Sequence, residues 1–343
     1  LIMWSWCGQV DEVDIQSHYL NDMADLENEY PGVGFIYMTG HLEGRQTGDS
    51  WFDGIVHADT LFSALINQLV KQDSSNNTNT NVDSLISDLN SDDPPFLLSS
   101  AFPFFDFDYY LPTPFGVSKI FQSRLKSIPF LRLNDFIALQ EGRFEDVERK
   151  WDENLWNISW STLNIPRITM DRRTLMAALY EVQGNYFISG GGLYFLIKIR
   201  DNSWNDSLKT CIMMIGQEGL GADRSLGYGQ ADIEIIEDLI EFESWQKLLQ
   251  PLSLDGKYVS LSTCCPKSAE EAAYAESYQL LTRRGWILSN STAVQMKRRV
   301  CRMFAEGSIF RAFCRGQVAD VTPAAFKSIH NIYRYGLPFY VNF

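Results

Sequence analysis

The stretch Gly216–Gly229, GQEGLGADRSLGYG, sets the strongest limit on how this chain can fold. Its centre reads Gly219-x-Gly221, a gap of five residues, then Gly227-x-Gly229. Glycine reaches positive φ and has no side chain, so a second backbone can come close to it. Successive turn amides can point into one concavity and hold an anion. Arg224 and Ser225 stand in the gap, and Tyr228 separates the last two glycines. A cation, a hydroxyl and a ring in one loop offer partners for phosphate, ribose and base. The same glycines also suit a loop that only turns tightly, because glycine patterns alone are weak signals.

The flanks give the loop a direction. Leu208, Cys211, Ile212 and Ile215 recur at helical spacing before it. Ile233 and Ile235 alternate with Asp232 and Glu234 after it, as in a half-buried strand. Both a P-loop and a Rossmann turn run from strand to helix, the reverse order, and no Walker lysine follows the glycines. A mononucleotide-binding regulator is therefore disfavoured.

Net charge is −14, which excludes a general polyanion glove. Its distribution is uneven. Seven acids and no Lys or Arg lie between Asp11 and Tyr30. Eight basic residues lie between Leu281 and Arg315 against one acid, Glu306. That asymmetry permits a local RNA-binding face, and it equally describes two solvated surfaces. The six cysteines include no C-x-x-C pair, and the four histidines are scattered. A reduced, cytoplasmic protein without metal or other cofactor is expected. No apolar run approaches a membrane span, and residues 1–6 lack the basic region of a signal peptide.

The length suggests two domains. Residues 1–32 read as an acidic N-terminal extension ending at Pro31-Gly32. Residues 33–240 read as a first domain. It opens with a strand at Val33–Leu42, a loop, and a helix from His57 whose stripe is Leu61, Phe62, Leu65, Ile66, Leu69 and Val70. Asp59 or Thr60 is the expected cap of that helix. Residues 72–81 are polar and low in complexity, which predicts a mobile loop. Gly116–Asn134 holds Lys119, Arg124, Lys126 and Arg132 with no acid, and Ile165–Leu175 gathers Arg167, Arg172 and Arg173. Tyr186–Arg200 reads as two strands joined by glycines. Residues 241–343 read as a second domain, with strands at Lys257–Cys265, Gln279–Ser289, Arg298–Phe310 (turning at Glu306-Gly307) and Tyr335–Phe343. A helix is expected over Ser268–Tyr278. The order in both parts suits an α+β fold of two ferredoxin-like units.

Several stretches, in order, resemble one family. They are HADTLFSAL (His57–Leu65), SSAFP (Ser99–Pro103), YLPTP (Tyr110–Pro114), IPRITMDR (Ile165–Arg172), GLYF (Gly192–Phe195), GLGADRSLGYG (Gly219–Gly229), RGW (Arg284–Trp286), FAEGS (Phe304–Ser308) and Tyr335-Gly336. Together they span roughly residues 33–343 and resemble the RAMP superfamily of CRISPR proteins, within it the fourth Csm subunit (Cas five group) of type III-A effector complexes. The resemblance implies two RRM-type RAMP domains. It implies a subunit that holds the 5′ repeat-derived tag of the crRNA, caps the backbone of Csm RAMP subunits and docks the large polymerase-like subunit. Target RNA is then met only indirectly, and no membrane is involved. The RNA-binding candidates are Gly219, Gly221, Arg224, Ser225, Gly227, Tyr228, Gly229, His57, Asp59, Thr60, Lys119, Arg167 and Arg172. Ala58 stands where the family commonly has Ser, which removes one hydroxyl.

The alternative is a metal-independent endoribonuclease that processes crRNA. That chemistry needs a base and an acid within reach of a 2′-OH and a leaving oxygen. His57 and Asp59, at a helix start where phosphate can bind, are the pair the sequence offers. With structural roles open to both, the expectation is a scaffold without catalytic residues.

Overall fold

The strand Gly191–Phe195 is buried along its whole length and separates two large hydrophobic cores. The computed structural model describes residues 2–5, 36–38, 54–76, 82–117, 129–143, 160–174, 176–187, 190–221, 224, 229–237, 239–253, 256–287 and 296–343. Successive strand side chains point to opposite faces, and this strand shows the consequence. Leu193 and Phe195 enter one core, with Leu61, Phe62 and Leu65 of the helix Ala58–Asn76 and with Cys211, Ile212 and Ile215 of the helix Asn205–Glu218. Tyr194 and Leu196 enter the other, with Phe102, Phe104, Phe136 and Trp245. The apolar stripes expected on both helices are the faces that pack, except at Val70, which is exposed.

Gly191–Phe195 lies inside a seven-stranded sheet. The order is Asp232–Ile235, Ile2–Ser5, Ile36–Met38, Gly191–Phe195, Phe102–Phe105, Asp108–Pro112, Phe130–Arg132. Residues 1–32 were expected to be an extension, and Ile2–Ser5 corrects that. Its apolar IMWS run pairs antiparallel with the central strand, Ile2 opposite Phe195 and Ser5 opposite Gly192. Residues 6–32 lie outside the described residues.

A second, four-stranded antiparallel sheet has the order Ala275–Ser277, Ile309–Phe310, Tyr258–Ser260, Tyr340–Asn342. Largely antiparallel sheets beside helices, with one parallel pair between Ile2–Ser5 and Ile36–Met38, make the fold α+β. Beside the second sheet stands the single-turn helix Ala269–Ala272. The helix expected through Tyr278 stops there because sheet pairing overrides propensity: Arg311 N–H bonds the Tyr274 carbonyl at 2.9 Å, and Ala275 lies opposite Phe310. Ser268 Oγ caps the short helix, accepting from Glu271 N–H at 3.2 Å.

The C-terminal third completes both cores and adds a third of its own, where Tyr258, Cys264, Phe304, Phe310, Cys314 and Tyr340 pack together. Val259, Leu261, Ile309, Phe339 and Val341 join the Tyr194 side, while Val318, Tyr335 and Leu337 join the helical side. The turn at Glu306-Gly307 appears where the sequence placed it, between Cys301–Phe304 and Ile309–Phe310. Gly307 has φ +82° and packs so closely on Thr113 that a Cβ would meet its carbonyl oxygen at 2.7 Å. The polar tract was expected to be a loop from residue 72, but Gln72–Asn76 continues the first helix, and 77–81 lie outside the described residues.

Trp160–Met170 and Ala177–Phe187 pair in register as a long two-stranded hairpin, with its turn closed by Asp171 N–H to the Met176 carbonyl at 3.0 Å.

Candidate nucleic-acid interface

The motifs that lie far apart in sequence meet at the start of the helix Ala58–Asn76. Four orphan amides open any helix and need partners. Here the Ala58 amide donates to Ser100 Oγ at 2.8 Å, so the cap comes from another segment. This corrects the expected cap at Asp59 or Thr60. The Ser100 hydroxyl donates onward to the Glu306 carboxylate, and His57 Nδ1 lies 2.8 Å from the same Oε1 atom. Asp59 turns away from the amides toward two arginines. Arg283 grips its carboxylate with Nε at 3.0 Å and Nη2 at 2.9 Å, and Arg334 donates to Oδ2 through Nη1. Arg283 Nη2 also donates to Thr60 Oγ1 at 3.2 Å.

Electrostatics follow this wiring. Burial pushes the Asp59 carboxyl up, but Arg283 and Arg334 outweigh it and hold the group down at about 2. Burial works against charge on His57 as well, yet the Glu306 carboxylate raises the imidazole above its ordinary value. Glu306 is lowered: burial opposes ionisation, and the His57 charge and hydrogen bond overcome it. The Nε atoms of Arg298 and Arg334 are buried without a hydrogen-bond partner among the described residues. A buried charge tolerates removal of its partner poorly, so this cluster joins the N-terminal and C-terminal halves through groups that depend on one another.

The glycine loop leaves the helix Asn205–Glu218 and enters the strand Asp232–Ile235, the direction its flanks predicted. Gly219 (φ +85°) ends the helix and its amide bonds the Ile215 carbonyl at 2.8 Å. The loop base closes where Leu220 N–H meets the Gly229 carbonyl at 2.9 Å. At Gly229 (φ +75°) a Cβ would meet the Leu220 carbonyl oxygen at 2.0 Å, so only glycine fits. Gly221 (φ +102°) and Arg224 are exposed. Ser225, Gly227 and Tyr228 lie outside the described residues, as does Lys119.

Arg167 and Arg172 sit on the long hairpin. Arg167, partly exposed, stands opposite Tyr180, while Arg172 and Arg173 occupy the exposed turn. Ile168, Met170, Met176 and Leu179 nearby are 61–72% exposed. The candidates therefore divide. Arg167, Arg172, Gly221 and Arg224 reach solvent. Asp59 is 1% exposed and faces arginines, and the His57 side chain is 14% exposed. Sequence reasoning did not find Ser100, Arg283, Glu306 or Arg334 as partners, although SSAFP, FAEGS, RGW and Tyr335-Gly336 lay beside or over them. The hairpin was missed as well. Its eleven-residue strands mix apolar and polar residues on both faces, so no period-2 signal marks them. Among the described residues no three His, Cys, Asp or Glu side chains gather to hold a metal, and no helix is long and apolar enough to cross a membrane.

Comparisons with known proteins converge. The family model for the CRISPR Csm4 C-terminal domain matches residues 254–343. The CRISPR system Cms protein Csm4 of Streptococcus thermophilus is 27% identical over 288 residues, covering 82% of this chain and 89% of the relative. The protein of the same name from Thermococcus onnurineus (strain NA1) is 24% identical over 307 residues, covering 84% and 91%. Among solved structures, a chain of the Csm3-Csm4 subcomplex in the type III-A CRISPR-Cas interference complex is similar, with TM-score 0.63 and 18% identity over 91% of this chain and 99% of that one. A chain of the Csm1-Csm4 cassette in complex with cA4 is similar too, with TM-score 0.59 and 19% identity over 91% and 97%.

Proposed function

Because the chain belongs to the Csm4 family, RAMP proteins of type III-A CRISPR systems, we propose that it is a non-catalytic RNA-holding subunit of a Csm interference complex. It holds the 5′ repeat-derived tag of the crRNA and joins the large polymerase-like subunit to the RAMP backbone. The solved relatives are described in assemblies with Csm3 and with Csm1, which supports both docking roles.

The single observation that carries the RNA-holding role is the placing of exposed cations on two elements that approach solvent. Arg172 lies at the end of a hairpin with exposed aliphatic side chains, and Arg224 lies in a loop with positive-φ glycines. Cations meet phosphate oxygens, aliphatic side chains pack on bases, and glycine lets the RNA backbone come close. The non-catalytic role draws support from the helix start. His57 is bonded to Glu306 and Asp59 to two arginines, which occupies the acid–base pair a nuclease needs.

The test is reconstitution with the large subunit, the backbone subunit and crRNA. Retention of crRNA with a defined 5′ end, lost when Arg172 and Arg224 are both changed to Ala, is expected. Full retention by that double variant overturns the assignment of these residues.

A further inference from the structure

The vicinal pair Cys264-Cys265 sends its side chains to two different thiols. Cys264 Sγ lies 3.5 Å from Cys314 Sγ, and Cys265 Sγ lies 3.7 Å from Cys301 Sγ. The two contacts differ in access. Cys264 and Cys314 are fully buried, and the Cys314 thiol donates to Glu271 Oε2 at 3.4 Å. Cys301 is partly exposed on a strand edge, directly opposite Arg283 in the ladder. Cys265 is held beneath it: its amide bonds the Gly336 carbonyl at 2.9 Å, and a Cβ on Gly336 would strike the Cys265 Cβ at 2.4 Å.

We propose that Cys265 and Cys301 are an oxidation site, a dithiol that closes reversibly to a disulfide behind the arginine cluster while Cys264 and Cys314 stay reduced. Contact between the sulfurs means that closure needs a short approach rather than refolding. Reactivity follows thiolate character and exposure. Cys265 and Cys301 share a hydrogen bond that either thiol can donate, and Arg334 stands near. Together they outweigh burial and lower the Cys301 thiol to about 7. Cys265 shifts the other way, first through that same hydrogen bond and then through burial. Cys301, the more exposed of the two, is the nucleophile, and the buried Cys265 is the resolving thiol.

With hydrogen peroxide as the two-electron oxidant, the Cys301 thiolate attacks one peroxide oxygen. The S–O bond forms as the O–O bond breaks, and the departing hydroxide takes a proton to become water. Cys265 sulfur then attacks the Cys301 sulfenic sulfur. The hydroxyl leaves with the Cys265 proton as a second water. Two thiols and one peroxide become one disulfide and two waters, and a reducing dithiol reverses the change by exchange.

The experiment treats the full chain, native, with peroxide, alkylates it under denaturing conditions, digests it with trypsin and reads the peptides by mass. Tyr258–Lys267 joined to Val300–Arg302, short by two hydrogens and released by dithiothreitol, is expected. Because the first peptide holds both vicinal cysteines, the crosslink must persist in Cys264→Ser and vanish in Cys265→Ser. The latter should stop at a Cys301 sulfenic acid that dimedone traps several-fold more than in the parent. A crosslink to Cys314, a crosslink that survives Cys265→Ser, or Cys265 alkylated in full after peroxide would each overturn the proposal. The parent chain alone decides the last of these, whatever the variants do.

Discussion

Arg283 grips Asp59 with two hydrogen bonds, Nε at 3.0 Å and Nη2 at 2.9 Å, across 224 positions of sequence. Arg334 reaches the same carboxylate from the far end of the chain. Asp59→Ala should therefore destabilise the whole protein, because the buried Arg334 guanidinium and the half-buried Arg283 lose their counter-charge. A cost of about 3–5 kcal/mol is expected for breaking a buried pair. Urea unfolding measures it, and a cost under about 1 kcal/mol, the level of a surface pair, would mean the cluster is solvated.

His57 makes stability depend on pH in a stated direction. Its folded pKa lies above the ordinary 6.5, so the charged form is favoured by folding. That contribution is complete below 6.5 and is lost as pH rises through the folded value. Asp59 acts at the other end. Its contribution is present above 3.8 and is lost as pH falls toward about 2. Urea midpoints at about pH 6 and about pH 8.5 should differ in the parent and differ less in His57→Gln. An unchanged difference in the variant would place the titration elsewhere.

The glycines of the loop should separate into two kinds. Gly229→Ala places a methyl against the Leu220 carbonyl, so it should lower stability as well as RNA binding. Gly221 is exposed but holds φ +102°, so Gly221→Val should cost some stability through backbone strain, leave the isolated protein folded and weaken crRNA retention. Thermal melts beside RNA content in the purified complex distinguish these outcomes. Parent-level RNA content with Gly221→Val would argue against close RNA approach there.

Arg224 is exposed and not buried in the ion network, so its charge is available to a phosphate. Arg224→Ala should reduce the salt slope of single-stranded RNA binding by about 0.7. The parent slope in the variant would mean that Arg224 faces away from RNA.

Since His57 is bonded to Glu306, His57→Ala should impair assembly rather than chemistry. A true general acid or base contributes roughly 10²–10⁴ in rate. Cleavage per bound crRNA should stay at the parent level once RNA occupancy is matched. A loss of about a hundredfold or more at equal occupancy would promote the endoribonuclease alternative.

What was legible in the sequence was local. Helical stripes such as Leu61-Phe62-Leu65 and the alternation around Ile233 depend on neighbours within a few residues, and both appear as read. The Glu306-Gly307 turn did too, since glycine at positive φ marks its own position. The wiring of the helix start was not legible, because Asp59 followed by helical residues looks the same whether it caps an amide or binds Arg334. Long-range partners decide between those fates, and spacing does not encode them. The end of the helix at Ala272 was lost for the same reason, as pairing with Phe310 captures residues of good helix propensity. Motif order pointed to the family without saying that the motifs touch.

The most direct measurement is photocrosslinking in the reconstituted complex, with a reactive nucleotide at each position of the crRNA 5′ tag and peptides identified by mass. Crosslinks from the tag to this chain, in the hairpin around Arg172 and the loop around Arg224, are the expected result. Crosslinks from every tag position to the other subunits alone, in a complex that contains this chain at full occupancy, would contradict it.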